Sequence, residues 1–106
     1  MIFSNIKDYQ GGWFIGDFEP SIVKSPQFEV AYHFHFAGEK SVPHTHKLTT
    51  ELNFIVYGEL IVSGKRLSSG DIWIYEPNEI SDVEFLSDVG LFIIRWPSIP
   101  GDKYLI

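Results

Sequence analysis

The 106-residue chain is 44% hydrophobic and 21% charged, an ordinary globular balance with room for one domain. A formal charge of −6 with eight Lys plus Arg argues against nucleic acid, whose binding rests on neutralising phosphates, and the absence of cysteine excludes a disulfide framework, a thiolate metal site and a Cys nucleophile. His, Asp and Glu remain as ligands or acid–base groups, and all four histidines (His33, His35, His44, His46) fall in one 14-residue window.

In chain order, short runs rich in Val, Ile, Phe, Tyr and Trp recur between turn residues with no sustained helical stripe, which predicts an all-β sandwich or barrel. The expected strands are Trp13–Phe18, Phe28–Phe36, Pro43–Lys47, Thr50–Tyr57, Glu59–Val62, Ile72–Tyr75, Ser81–Phe85 and Leu91–Trp96, with Lys65–Leu67 as a short return strand. Ser63-Gly64 reads as a tight hairpin loop. The segments at about 1–27 and 97–106 are broken by Gly11-Gly12, Pro20, Pro97 and Pro100, and are expected to wrap the barrel or a partner subunit. The N-terminus lacks signal-peptide features and no apolar run approaches the roughly 20 residues of a membrane span, so the expectation is a cytoplasmic protein. Seventeen aromatic residues are a heavy load for this volume, which suggests a homodimer that covers some of them.

Along an extended Val42-Pro43-His44-Thr45-His46, alternate side chains emerge on one face about 7 Å apart, so His44 and His46 converge. Glu51 follows after a turn and approaches the same point from the next strand. Two imidazoles and a carboxylate suit a divalent transition metal; without metal, the same set offers a base and an orienting acid. Asn53 shares the parity of Glu51 and lines the pocket, as a substrate-contacting amide or a structural hydrogen bond. His33 and His35 alternate against Val30, Tyr32, Phe34 and Phe36; because the latter make the better core face, the two histidines are expected at the surface or a subunit interface, the alternative being that the aromatic face is buried against a partner and the histidines enter the cavity. Arg95 reads as a surface charge at a strand end, with anion binding inside the barrel as its functional alternative. Trp73 and Trp96 are expected to fill core or interface.

Gly38, His44, His46, Glu51 and Gly58 stand at the offsets of the first conserved motif of the cupin superfamily, and Pro43-His44-Thr45-His46 followed by Thr50-Glu51 is similar to germin-like cupins. The resemblance implies an antiparallel jelly-roll β-barrel, often dimeric, with His44, His46 and Glu51 holding a divalent metal (Mn, Fe, Ni or Zn) inside it. The second motif begins with Gly70-Asp71-Ile72-Trp73-Ile74-Tyr75 and then departs. Its proline falls on Glu76, its glycine on Asn78 and its histidine on Ser81, so the fourth ligand is missing. Parity turns Asp82 outward when Ser81 faces inward. The leading expectation is a metal-binding cupin acting on a small acid or carbohydrate. A second follows from His44-Thr45-His46-Lys47 and Asp102–Ile106, which resemble cupin ketoisomerases of nucleotide sugars: a metal-free isomerase or epimerase with His44 or His46 as acid–base and Arg95 on diphosphate. A third is a ligand-binding or sensing module without turnover.

Overall fold

The computed structural model describes residues 1–106. Two 3-10 turns, Ile6–Asp8 and Gln10–Gly12, precede twelve strands. These are β1 (Trp13–Gly16), β2 (Val23–Lys24), β3 (Glu29–His35), β4 (His44–Thr45), β5 (Thr50–Tyr57), β6 (Glu59–Val62), β7 (Lys65–Ser68), β8 (Ile72–Tyr75), β9 (Ile80–Ser81), β10 (Val83–Phe85), β11 (Val89–Trp96) and β12 (Tyr104–Leu105). One six-stranded sheet runs β2-β1-β3-β11-β5-β8, and two three-stranded sheets, β10-β6-β7 and β12-β4-β9, complete the jelly roll.

The longest strands, β3, β5 and β11, carry the β-branched and aromatic residues that suit a pleated surface, and they pair antiparallel at the centre of the large sheet. Their inner faces supply Ala31, Ile55, Leu91 and Ile93, and these, except Ala31, join Leu60, Val62, Val83 and Phe85 of β6 and β10 in one buried cluster. The Ser63-Gly64 hairpin forms as expected: both residues have positive φ (49° and 74°), the geometry of the mirror-image turns that match strand twist, and Val62 pairs with Lys65. Gly58 (φ 98°) is required as glycine, since a Cβ there would fall 2.2 Å from the Asp88 carbonyl oxygen. Asn78, where the second cupin motif has glycine, adopts φ 73° and preserves the turn.

Three differences from the expected strands matter for the site. Pro43–Lys47 narrows to the two-residue β4, because Lys47, Leu48 and Thr49 turn their N–H groups onto the Asp102 carboxylate instead of a neighbouring strand. Ser81–Phe85 divides at Asp82 into β9 and β10, which pair with different partners, β4 and β6. The C-terminal segment leaves the large sheet at Pro97 and then re-enters sheet structure as β12, beside β4.

The outer face of the large sheet is apolar and partly open, with the N-terminal Ile6 and Tyr9 beside Tyr32 and Phe92. Tyr32, Phe34, Phe54, Ile72, Ile74 and Phe92 stand on it, with Phe34 59% and Ile72 56% exposed, and Phe92 lies between Tyr32 and Phe54 in register. Trp96 also lies on this outward parity, half-exposed, rather than in the core.

Candidate functional site

The β4 segment brings His44 and His46 together, with ring centroids 5.3 Å apart and the planes nearly perpendicular. Each imidazole is fixed through Nδ1 to a backbone carbonyl: His44 to Val42 at 2.8 Å, and His46 to Asp102 across the barrel end. A carbonyl only accepts, so Nδ1 carries the proton in both rings and Nε2 is the free nitrogen. His46 Nε2 is buried without a hydrogen-bond partner and lies 3.4 Å from Glu51 Oε1. Burial lowers the pKa of His44, which keeps its ring neutral at pH 7.

Asp102 holds this corner in place. Its carboxylate accepts from the backbone N–H groups of Lys47, Leu48 and Thr49 at 3.1, 2.9 and 3.0 Å while its carbonyl accepts from His46 Nδ1–H. Burial pushes the Asp102 carboxyl up, but the three N–H donors outweigh it and the pKa falls below the ordinary value.

Glu51 is buried and fully engaged. Oε1 accepts from Arg95 Nε at 2.7 Å and Oε2 from Asn53 Nδ2 at 3.0 Å. Burial alone would raise its pKa; a proton donated from His46 when Nε2 carries one, with Arg95 and Asn53, reverses that and brings it to about 2. Asn53 is thereby placed in the pocket with its amide N–H committed to Glu51.

Arg95 corrects the expectation of a surface charge. It shares the inward parity of Leu91 and Ile93 on β11, in register with Glu51 on β5 and Glu29 on β3, so its guanidinium is held between the two carboxylates. It also lies over the Trp13 ring at 4.4 Å. Two buried carboxylates against one guanidinium leave one negative charge, which a proton or a metal cation near His46 would balance.

His33 and His35 are likewise corrected: both face the barrel interior, because the aromatic set opposite them faces out. They line a cavity of about 270 Å³ with His44, Glu51, Asn53, Trp73, Tyr75, Ser81, Arg95 and Lys103. Burial, then the neighbouring His35 and Arg95, lowers the His33 pKa to about 4; burial also lowers that of His35, whose ring stacks on Phe85 at 4.0 Å. Trp73, expected in core or interface, belongs to this lining as well.

Solved structures share this architecture. The chain is similar to an uncharacterized conserved protein with a double-stranded β-helix domain from Klebsiella pneumoniae, with 18% identity over 98% of this chain and 89% of that one at a TM-score of 0.72. It is similar to the DMSP lyase DddQ from Ruegeria pomeroyi at 20% identity and TM-score 0.71, covering 88% of this chain but only 49% of the lyase, about half its length. A cupin protein from Bacteroides fragilis matches at 21% identity and TM-score 0.58, over 71% of this chain and 69% of that one. The fold is a cupin fold. No protein-family model matches the sequence, and no curated protein matches it.

In this cupin barrel the donor set fits a divalent metal in chemistry, with two imidazoles that present Nε2 and a carboxylate beside the unpaired one. No group of three His, Asp or Glu side chains is already gathered as a shell, and Arg95 shares the carboxylate oxygen. Ser81, at the position of the second-motif histidine, is buried and faces in, in register with His44, and Asp82 is exposed. Tyr75, Asp102 and Lys103 are site residues that the sequence pattern does not single out. Tyr75 had a usable signal, since it shares the parity of Trp73 on the strand paired with Asn53 and Glu51. Asp102 had none, because its partners lie more than 50 residues away.

Proposed function

We propose that this is a small-molecule cupin whose barrel holds a divalent transition metal (Mn, Fe, Ni or Zn) at His44, His46 and Glu51. The supporting observation is the buried, unpaired His46 Nε2 facing Glu51 Oε1: with the ring neutral these are two acceptors at 3.4 Å, which repel unless a metal ion or a second ring proton lies between them. Such a metal supplies Lewis acidity toward a carbonyl, carboxylate or hydroxyl oxygen of a bound acid or sugar. The chain itself supplies orientation. Asp102 and Val42 fix the imidazole tautomers, Asn53 and Arg95 hold Glu51 ionised, and Trp73 and Phe85 bound a partly dry cavity. At about 30 Å³ per water, 270 Å³ holds the equivalent of about nine waters, a ligand of small-metabolite size.

The Arg95–Glu51 pair favours a second reading without metal, in which His46 takes the balancing proton and His44 acts as acid–base on a sugar or related carbonyl compound. A nucleotide sugar would place only its sugar ring inside a cavity of this size. In either reading two copies of the chain meet through the apolar outer face of the large sheet.

Elemental analysis of protein purified without an affinity tag tests the first reading. Stoichiometric metal that is lost in His44→Ala and His46→Ala supports it; protein that takes up no manganese, iron(II), nickel or zinc on equilibration overturns it and leaves the second reading.

A further inference from the structure

On β8, in register with Glu51 and Asn53, the cavity wall carries two buried polar groups without a hydrogen-bond partner. The Tyr75 hydroxyl and Trp73 Nε1 are both buried and unpaired, and Tyr75 as a residue is 6% exposed. Their rings sit edge to face with centroids 6.2 Å apart, and the Ser81 hydroxyl lies beside that of Tyr75. An indole N–H can only donate and the Tyr75 oxygen stands within its reach, which leaves the Tyr75 and Ser81 hydroxyl protons to an oxygen acceptor that enters the cavity.

The charge of the lining points the same way. In a chain of net charge −6, the cavity is bordered by two cationic side chains, Arg95 and Lys103, and by one carboxylate, Glu51. Arg95 is committed to Glu51 and Glu29, whereas Lys103 has no carboxylate partner. Pairing of β12, β4 and β9 gathers Lys103, His44 and Ser81 at one end of the barrel, because Tyr104 pairs with Thr45, and His44 with Ser81. The position where the cupin motif has a histidine thus presents a hydroxyl donor in this chain.

We propose that Ser81, Tyr75 and Lys103 form a subsite for an anionic oxygen of the ligand, and that the barrel selects small carboxylates over neutral molecules of the same shape. This rests on the reading of the cavity as a small-molecule site, and it assigns the ligand class and the end at which its carboxylate lies. Trp73 completes the donor wall behind Tyr75.

Isothermal titration of the purified protein with malonate and succinate, against malonamide and succinamide as neutral matches, tests it. The diacids are expected to bind and the diamides to bind at least about tenfold more weakly, as loss of a hydrogen bond to a charged group implies. Ser81→Ala, Tyr75→Phe and Lys103→Met are each expected to weaken diacid binding by a similar factor; Lys103→Met, at an exposed position, keeps the test valid if a buried variant misfolds. Diamides that bind as tightly as diacids overturn the anion subsite and leave the barrel as a small-molecule site. Diacid binding indifferent to all three substitutions places the anion elsewhere and overturns the subsite too. If neither series binds, the proposal falls, and elemental analysis decides the metal reading separately.

Discussion

The two faces of the six-stranded sheet invert the usual arrangement of polar and apolar residues. The inner face carries Glu29, His33, His35, Glu51, Asn53 and Arg95 beside its aliphatic residues, while the outer face carries Tyr32, Phe34, Phe54, Ile72, Ile74 and Phe92. A sheet face is buried by whatever covers it, and β6 and β10 cover the end of the inner face that holds Ile55, Val89 and Leu91. The other end is left to polar groups that satisfy one another around a cavity. The contrast teaches that charge concealed on one face and rings exposed on the other have separate causes: a site inside, and a surface suited to a second copy outside.

The largest expected effect comes from breaking the inner ion cluster. Arg95→Met leaves Glu51 and Glu29 without their guanidinium and is expected to cost about 3–5 kcal/mol in urea denaturation, with partial recovery when Glu51→Gln is added. Asp102→Ala removes the acceptor of three backbone N–H groups and loosens the β4–β5 turn behind His46; the expected loss is about 2–3 kcal/mol by the same measurement.

Acid should act on the inner face next. His33 titrates at about 4 in the fold and near 6.5 when unfolded, so the unfolded chain binds more protons between those values. Stability from neutral His33 is complete above pH 6.5 and is lost as pH falls from there toward 4, by on the order of 3 kcal/mol. His33→Gln should flatten that part of a stability–pH curve, and an unchanged slope would show that His33 is not the group concerned.

The smallest effect on folding is expected outside. Phe34→Ser with Ile72→Ser, both more than half exposed, should shift monomer stability by less than about 1 kcal/mol. The same pair should convert a dimer to a monomer in sedimentation equilibrium. A wild-type chain that sediments as a monomer would break the outer half of the comparison.

Much of the site was legible from local spacing. The His44-Thr45-His46 alternation and the turn to Glu51 rest on the period of two and on chain reach, and His46 lies beside both His44 and Glu51 although the three are not gathered as a shell. The inward Ser81 and outward Asp82 followed from the same parity. The orientation of β3 did not, because two alternating sets of plausible core residues differ by one position and nothing local says which is covered. Arg95 followed the same logic in reverse: its charge argued for solvent, while its register with Glu29 and Glu51 places it inside.

By itself, the sequence determined an all-β chain with tight turns at Ser63-Gly64, Gly58 and Asn78, and a His-x-His pair followed by a carboxylate. Those features depend on backbone preference and on residues a few positions apart. Only the tertiary structure decided that Arg95 neutralises Glu51, that Asp102 returns from the C-terminus to hold His46, and that His33 and His35 look into the barrel. Each of these depends on strand pairings or contacts between residues dozens of positions apart, which no local pattern encodes.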